Sequence, residues 1–425
     1  MLRLGRLAAG MTATALNQGA KQIARGERPD PSGLLLNPAN AERLAGELAQ
    51  MRGAVMKVGQ LLSMEAGELL PPELSSILAG LRDSAHSMPS SQLRPLLSRA
   101  WGDDWRKRFR SFDEQPFAAA SIGQVHRAVA HDGRRLAIKI QYPGVAASID
   151  SDVANVAALL KLFRLLPAGL EIDPLLDMAR RQLHDETDYA LEASHLRQYR
   201  ARLGNDELLR VPEVDEGLGG PGILAMTYID GQSIEHLASA PLETRNRLAA
   251  RLIDLCLHEF LHWGLVQSDP NFANFLFDAK QQTIGLLDFG ALRVNQPGRE
   301  LALARLLRAA LNEDFEQILA AACEVGYVAD TNSFSYRMTI VDLIRTAAEP
   351  ALGAQPYEFA ESVLVQSLAD KLLYLRSSSE PQSLPPADVV FLHRKLAGMF
   401  LLCARIRARV DVRRIVLAHL ERLGV

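Results

Sequence analysis

Cysteine is scarce in this chain, and what there is lies scattered. The 3 cysteines among 425 residues, Cys256, Cys323 and Cys403, stand far apart with no Cys-x-x-Cys spacing. That excludes a disulfide framework and a cysteine-built zinc site, and it reads as small buried hydrophobes in a reducing compartment. Long apolar runs are missing as well. No stretch approaches the roughly 18 residues that a membrane-crossing helix needs, and the most apolar C-terminal segment, Leu396 to Ala404, is short and flanked by arginines. A surplus of charge is also missing. The formal net charge is −3 and there is no long basic run, so nucleic acid is not expected as a partner. Neither an internal repeat nor a low-complexity tract is visible. What remains is an ordinary globular composition, with 48% hydrophobic and 23% charged residues, in a chain long enough for two or three domains.

The stretch that carries chemistry is Val266-Gln267-Ser268-Asp269-Pro270-Asn271-Phe272-Ala273-Asn274, followed by Leu287-Asp288-Phe289-Gly290. Asp269 and Asn274 are 5 apart, and Asp288 comes 19 after Asp269, at the end of an apolar run from Thr283 that predicts a strand. Phosphoryl transfer needs this set. One Asp orients or deprotonates the nucleophile, while an Asn and a second Asp hold the metal ions that neutralise the triphosphate. Asp-Phe-Gly alone is a chance motif, but the ordered combination is far more specific.

The upstream half supplies matching parts. Residues 1–26 carry Arg3, Arg6, Lys21 and Arg25 and no acid, which reads either as a basic helix resting on an anionic membrane surface or as an ordinary frayed terminus. From Ala39 a helical period begins that contains Met56-Lys57-Val58-Gly59-Gln60. Glycine inside a helix costs roughly 1 kcal/mol against alanine, so Gly59 predicts close approach of another backbone. Lys57 and Gln60 are expected on one face. Next, Ala118-Ala119-Ala120-Ser121-Ile122-Gly123-Gln124-Val125 leads into a strand with Leu136-Ala137-Ile138-Lys139. Its lysine stands where a kinase keeps the one that holds the α- and β-phosphates. Glu186, Asp188 and Glu192 follow on helical sequence, with Asp188 and Glu192 expected on one face. Glu192 is the candidate partner of Lys139. Val211 to Val214 and Gly222 to Gly231 predict two further strands and a hinge, where Thr227 and Ile229 backbone groups would meet the adenine edge and Met226 would wall its pocket. From Arg299 onward the sequence is helical by period.

In combination these motifs resemble the UbiB-type atypical kinases, also called the aarF-domain or ADCK family, over roughly residues 40–405. Lys57-x-Gly59-Gln60 matches that family's Lys-x-Gly-Gln motif. Ala118 to His126 matches its alanine-rich loop, Lys139 to Val145 the segment around its nucleotide lysine, and Glu186-x-Asp188 with Glu192 its Glu-x-Asp motif and helix-C glutamate. Gln267-x-Asp269-Pro270-Asn271-x-x-Asn274 is similar to the branch that includes the mitochondrial ubiquinone proteins.

The resemblance implies an α/β, mainly helical, two-lobed protein-kinase-like fold with an added helical N-terminal extension. The expected divisions are a basic helix and linker at 1–38, the extension at 39–111, an N-lobe with a helical insert at 112–230 and a helical C-lobe at 231–425. It further implies ATP or ADP with Mg2+ held between the lobes. Lys139 would hold phosphates with Glu192 positioning it, Asp269 would act on the nucleophile, and Asn274 and Asp288 would hold magnesium. Lys57, Glu186 and Asp188 would form a lid over the phosphates. Ser268 replaces the usual catalytic-loop arginine and no Ala-Pro-Glu follows Gly290, so a peptide-docking segment is not expected.

Three functions remain open at this point. One is a lipid-responsive ATPase or small-molecule kinase supporting quinone biosynthesis. Another is a nucleotide-binding regulatory scaffold for a biosynthetic complex, and the last is a true protein kinase. The expected partners are a lipid or quinone precursor, a membrane surface, quinone-biosynthesis enzymes and a second copy of the chain. The expected location is cytoplasmic and peripheral at an inner membrane.

Overall fold

The computed structural model describes Met51 and residues 53–55, 57–59, 88–162, 172–269, 271–377 and 385–425. They form two compact units. One comprises the described residues up to Glu192 together with Val214–Tyr228, and the other comprises Ala193–Glu213 and Ile229–Val425. The division falls between Tyr228 and Ile229, and also inside the helix Tyr189–Leu203.

The first unit is built on an antiparallel sheet of β1 (Ser111–Phe112), β2 (Ala118–Ala119), β3 (Gly123–Val129), β4 (Arg135–Gln141) and β6 (Ile223–Thr227), with β5 (Leu209–Arg210) belonging to the second unit. β4 is central because Leu136 to Ile140 are buried on both faces. The helix Ser90–Trp101 lays Leu93, Leu97 and Trp101, spaced by four, against Leu136, Ile138, Ile140, Ile223 and Ala225. Trp105 and Phe109 complete that core. Each such side chain taken out of water contributes about 1.5–3 kcal/mol. The sequence reading set 39–111 apart as an extension, yet residues 88–109 share one core with the sheet.

In the second unit β8 (Leu265–Gln267) pairs with β11 (Leu292–Val294), and a second sheet runs β5, β10 (Thr283–Leu286), β9 (Phe275–Asp278), β7 (Gln232–Ser233). The helix Leu242–His258 buries Leu248, Leu252 and Leu255 on one stripe and continues as a π-helical turn, Glu259–Trp263. Gly264 ends it with φ 58°, in the left-handed region that favours glycine. Helices Arg299–Leu311, Phe315–Val325, Phe334–Ala347, Leu364–Ser377, Ala387–Arg405 and Val412–Arg422 follow.

Two expectations are corrected. The strand expected at 211–214 does not join the first sheet. Val214 makes only a single bridge to Met226, and the true strand β5 pairs in parallel with β10 of the other unit. Nor is everything after Arg299 helical, since β12 (Tyr357–Glu358) and β13 (Arg409–Val410) pair with each other. Cys256 and Cys403 are buried and unbridged, and burial pushes both thiols up.

Candidate functional site

Register decides where Lys139 points. β3 and β4 form a hairpin that pairs Val125 with Lys139, and β6 flanks the other side with Leu224 opposite Lys139. Lys139 is 9% exposed and Glu192 is 2% exposed. The ammonium donates to both carboxylate oxygens of Glu192, at 2.8 and 2.7 Å, and lies 5.0 Å from the centre of the Tyr189 ring. Burying an ion pair this deeply is tolerated only with good geometry on both sides. Glu192 sits in the first turn of its helix, where the backbone dipole favours a carboxylate.

Asp188 is not on a helical face with Glu192, as the sequence reading expected. It breaks the chain between the helices Asp173–Thr187 and Tyr189–Leu203, with φ −90° and ψ 85°. Its Oδ1 accepts from the Leu191 amide at 2.9 Å and so caps the second helix. Glu186 occupies the position expected of the pair. It accepts from Lys57 Nζ at 2.5 Å and from the Ser121 hydroxyl at 2.5 Å. Lys57 is 5% exposed, and a Cβ placed on Gly53 would meet Ile122 Cγ2 at 3.2 Å and the Ser121 carbonyl at 3.3 Å. The helical residues around Lys57 therefore lie against the Ser121–Ile122 loop. Gly53 makes a close approach of the kind expected at Gly59. Gln60 lies outside the described residues.

The alanine-rich segment is a strand and a turn. Ala118 and Ala119 pair with Val125 and Gln124, and the Ala120 amide donates to the Gly123 carbonyl at 2.9 Å. A Cβ on Gly123 would come within 2.4 Å of the Ile140 carbonyl oxygen, so only glycine fits there. The Gln124 side chain turns inward instead of toward a ligand. It is 1% exposed, accepts from the Met88 amide at 2.7 Å and meets His126 Nε2 at 2.9 Å. Met226 is buried opposite Ala137 and Thr227 lies opposite Leu136. Ile229 belongs to the second unit, where its side chain fills the space beside Gly285.

The second unit holds the Asp–Asn–Asp set on loops that pack together. Asn274 Nδ2 donates to Asp269 Oδ2 at 3.0 Å, which turns the amide oxygen of Asn274 the other way. The Leu287 amide donates to the Asn274 carbonyl at 3.0 Å, tying the end of β10 to the Asp269 loop. Ser268 donates its amide and hydroxyl to the Ala291 carbonyl, at 3.0 and 2.8 Å. Asp288 Oδ1 accepts from the Gly290 amide at 2.9 Å, and the Asp288 carbonyl accepts from Gln267 Nε2 at 3.2 Å. Two carboxylates and an amide oxygen are hard oxygen donors, the set that suits Mg2+.

Behind this loop is a network absent from the sequence reading. Lys395, 3% exposed, reaches Glu259 at 3.2 Å and Gln267 Oε1 at 3.2 Å, and the Tyr199 hydroxyl donates to Glu259 at 2.6 Å. Burial pushes the Glu259 carboxyl up, and Lys395 opposes that shift. The neighbouring Arg394 is 8% exposed. Burial pushes its guanidinium down, while the Asp269 carboxylate holds it up. Two adjacent cations inside an otherwise apolar helical period were the available signal. His195 Nδ1 meets the Phe289 carbonyl at 3.1 Å.

A hairpin lysine clamped by a helix glutamate in one unit, with an Asp–Asn pair and an Asp-Phe-Gly turn in the other, defines the protein-kinase-like class. Residues 80–322 match the ABC1 atypical kinase-like domain, and the chain belongs to that family of atypical kinases. It is 37% identical, over 96% of its own length and 82% of the relative's, to "Atypical kinase COQ8, mitochondrial" of Saccharomyces cerevisiae. It is 34% identical, over 98% of its length and 67% of the relative's, to "Atypical kinase COQ8B, mitochondrial" of Danio rerio. The Caenorhabditis elegans relative, "Atypical kinase coq-8, mitochondrial", is 35% identical over 96% of this chain, which spans 56% of that protein. Among solved structures, "The complex structure of Rv3197-erythromycin from Mycobacterium tuberculosis" is similar with a TM-score of 0.62 and 25% identity, covering 88% of this chain and 94% of that one. The mitochondrial-type resemblance read from Gln267 to Asn274 agrees with these relatives.

Proposed function

We propose that this atypical kinase uses Mg-ATP, transferring its terminal phosphoryl group to water or a small hydroxyl compound, and that it supports ubiquinone biosynthesis at a membrane surface. The observation that carries the reading is the buried two-point Lys139–Glu192 pair, which holds an ammonium at a fixed place for α- and β-phosphate oxygens. Asp269 orients the nucleophile and takes its proton, with Asn274 fixing the carboxylate through its amide. Asn274 and Asp288 would hold magnesium, which supplies charge neutralisation for the phosphates. Glu186, bound at once by Lys57 and Ser121, closes the alanine-rich turn under the Lys57 segment. That closure, together with Ser268 turned onto Ala291, favours a small acceptor over a protein. Residues 1–26, with four cations and no acid, support contact with an anionic membrane surface.

The experiment is a thermal-shift titration with Mg-ATP beside a phosphate-release assay. The wild-type chain should be stabilised and should turn over. Asp288→Asn should lose the magnesium-dependent shift while staying folded. Asp269→Asn should keep the shift and lose about 10²–10⁴-fold in rate. An unchanged shift in Asp288→Asn removes the metal assignment. Binding without turnover in the wild type leaves a regulatory scaffold instead of an enzyme.

A further inference from the structure

The second unit carries a cluster of imidazoles that the kinase chemistry does not use. Asp254 and His258 stand one turn apart at the end of the helix Leu242–His258, and His262 follows in the π-helical turn. The helix Val412–Arg422 brings His419 to them. His419 is 1% exposed, so its ring is fixed. Its Nε2 lies 2.9 Å from Asp254 Oδ1, and its Nδ1 lies 2.9 Å from His262 Nε2. The rings of His258 and His419 stand 4.5 Å apart at 82°. One ligand atom each from Asp254, His258 and His419 falls within 4.8 Å of the others.

The surroundings are those of a metal-ligand set. The other Asp254 oxygen accepts from Arg251 Nη1 at 2.9 Å, and Arg251 is anchored in turn on Asp206 at 2.6 Å. That fixes the carboxylate with Oδ1 directed at His419 and Oδ2 beside His258 Nδ1, at 3.5 Å. His262, on the far nitrogen of His419, sets the ring's orientation, as the outer hydrogen bond of a ligating histidine does. Arg422 Nη1 lies 3.3 Å from His258 Nε2. A guanidinium only donates, so Nε2 accepts and the ring proton sits on Nδ1, the nitrogen on the Asp254 side, which lies 3.0 Å from the Asp254 carbonyl oxygen and releases that proton when a cation binds. Arg422 is exposed and holds the ring from its far nitrogen, outside the ligand set.

We propose that Asp254, His258 and His419 bind one late first-row divalent cation of the Zn2+ type, with His262 orienting His419 and a fourth position open to water. Two imidazoles and one carboxylate are a zinc-type set, while magnesium prefers oxygen alone. The ion would join the helix Leu242–His258 to the helix Val412–Arg422, and its binding would raise the melting temperature by mass action.

The test uses the tag-free full chain, stripped with chelator and titrated with Co2+ in excess Mg2+. One cobalt per chain should appear, with the visible absorption of a tetrahedral site, and Zn2+ should displace it. His258→Gln and His419→Gln should each weaken binding at least tenfold. His262→Gln should weaken it by about 10–100-fold while keeping the absorption band, and Asp288→Asn should leave it unchanged. Should His419→Gln fail to fold, the part-exposed His258 decides. Uptake well below one cobalt per chain, or unchanged uptake in His258→Gln, overturns the proposal.

Discussion

Lys395 shows what one buried charge does at a distance in sequence. Its ammonium faces Glu259, which is fully buried, and Gln267, whose amide holds the Asp288 carbonyl. Lys395→Met leaves that carboxylate without its cation, and breaking a buried pair costs about 3–5 kcal/mol. Burial alone already pushes the Glu259 carboxyl up, so in the variant it rises further. A raised carboxyl is stable protonated, so the variant should be near wild-type stability at low pH and lose stability as pH rises through the folded-state value. Melting temperatures at pH 5 and pH 8 check this. The deficit should be larger at pH 8, and an equal deficit at both would mean that the network does not bury a lone carboxylate. In the sequence only the adjacent pair Arg394 and Lys395 hinted at this, and nothing pointed to Glu259. Lys395 lies 136 positions from Glu259, and each residue alone reads as one charge on a helix.

At the scale of elements, the β3–β4 hairpin was legible and its neighbours less so. Alternating apolar residues from Leu136 to Ile140 predict a strand, and Lys139 with Glu192 follows from order. Asp188 was misplaced because its acid neighbours suggest an unbroken helix, whereas Asp188 serves better as a cap than inside a turn. β5 was misassigned because a two-residue strand takes its partner from tertiary context, and no local pattern names β10. The hairpin's tolerance is set at Gly123, where a methyl group would strike the Ile140 carbonyl and the Tyr189 hydroxyl. Gly123→Ala should cost about 1–3 kcal/mol through overpacking and should loosen nucleotide binding, because Tyr189 also lies against Lys139. Urea denaturation with a parallel nucleotide titration checks both. Wild-type values in both would mean that the turn relaxes freely.

Over the whole molecule, the Lys139–Glu192 pair lies in one unit and Asp269, Asn274 and Asp288 lie in the other. The scattered cysteines, balanced charge and ordinary apolar fraction announced a globular protein with real cores, and both units have them. Surface attachment is the property left to composition. Residues 1–26 hold four cations and no acid. Flotation with liposomes should therefore show binding that increases with anionic lipid and falls at high salt. Equal binding to neutral vesicles would place the contact elsewhere.

The π-helical turn at Glu259–Trp263 has a consequence for how such chains can change in length. One extra residue in that turn rotates everything after it by about 100° relative to an α-helix. That rotation lets Glu259 face the core while His262 faces His419, and it sets the phase in which β8 delivers Gln267 and Asp269. Insertions and deletions accumulate harmlessly in exposed turns such as that around Gly217. Between His258 and Gly264 the count of residues is itself a constraint, and a chain of this kind that is one residue shorter there would present the wrong side chains to the loop that carries Asp269.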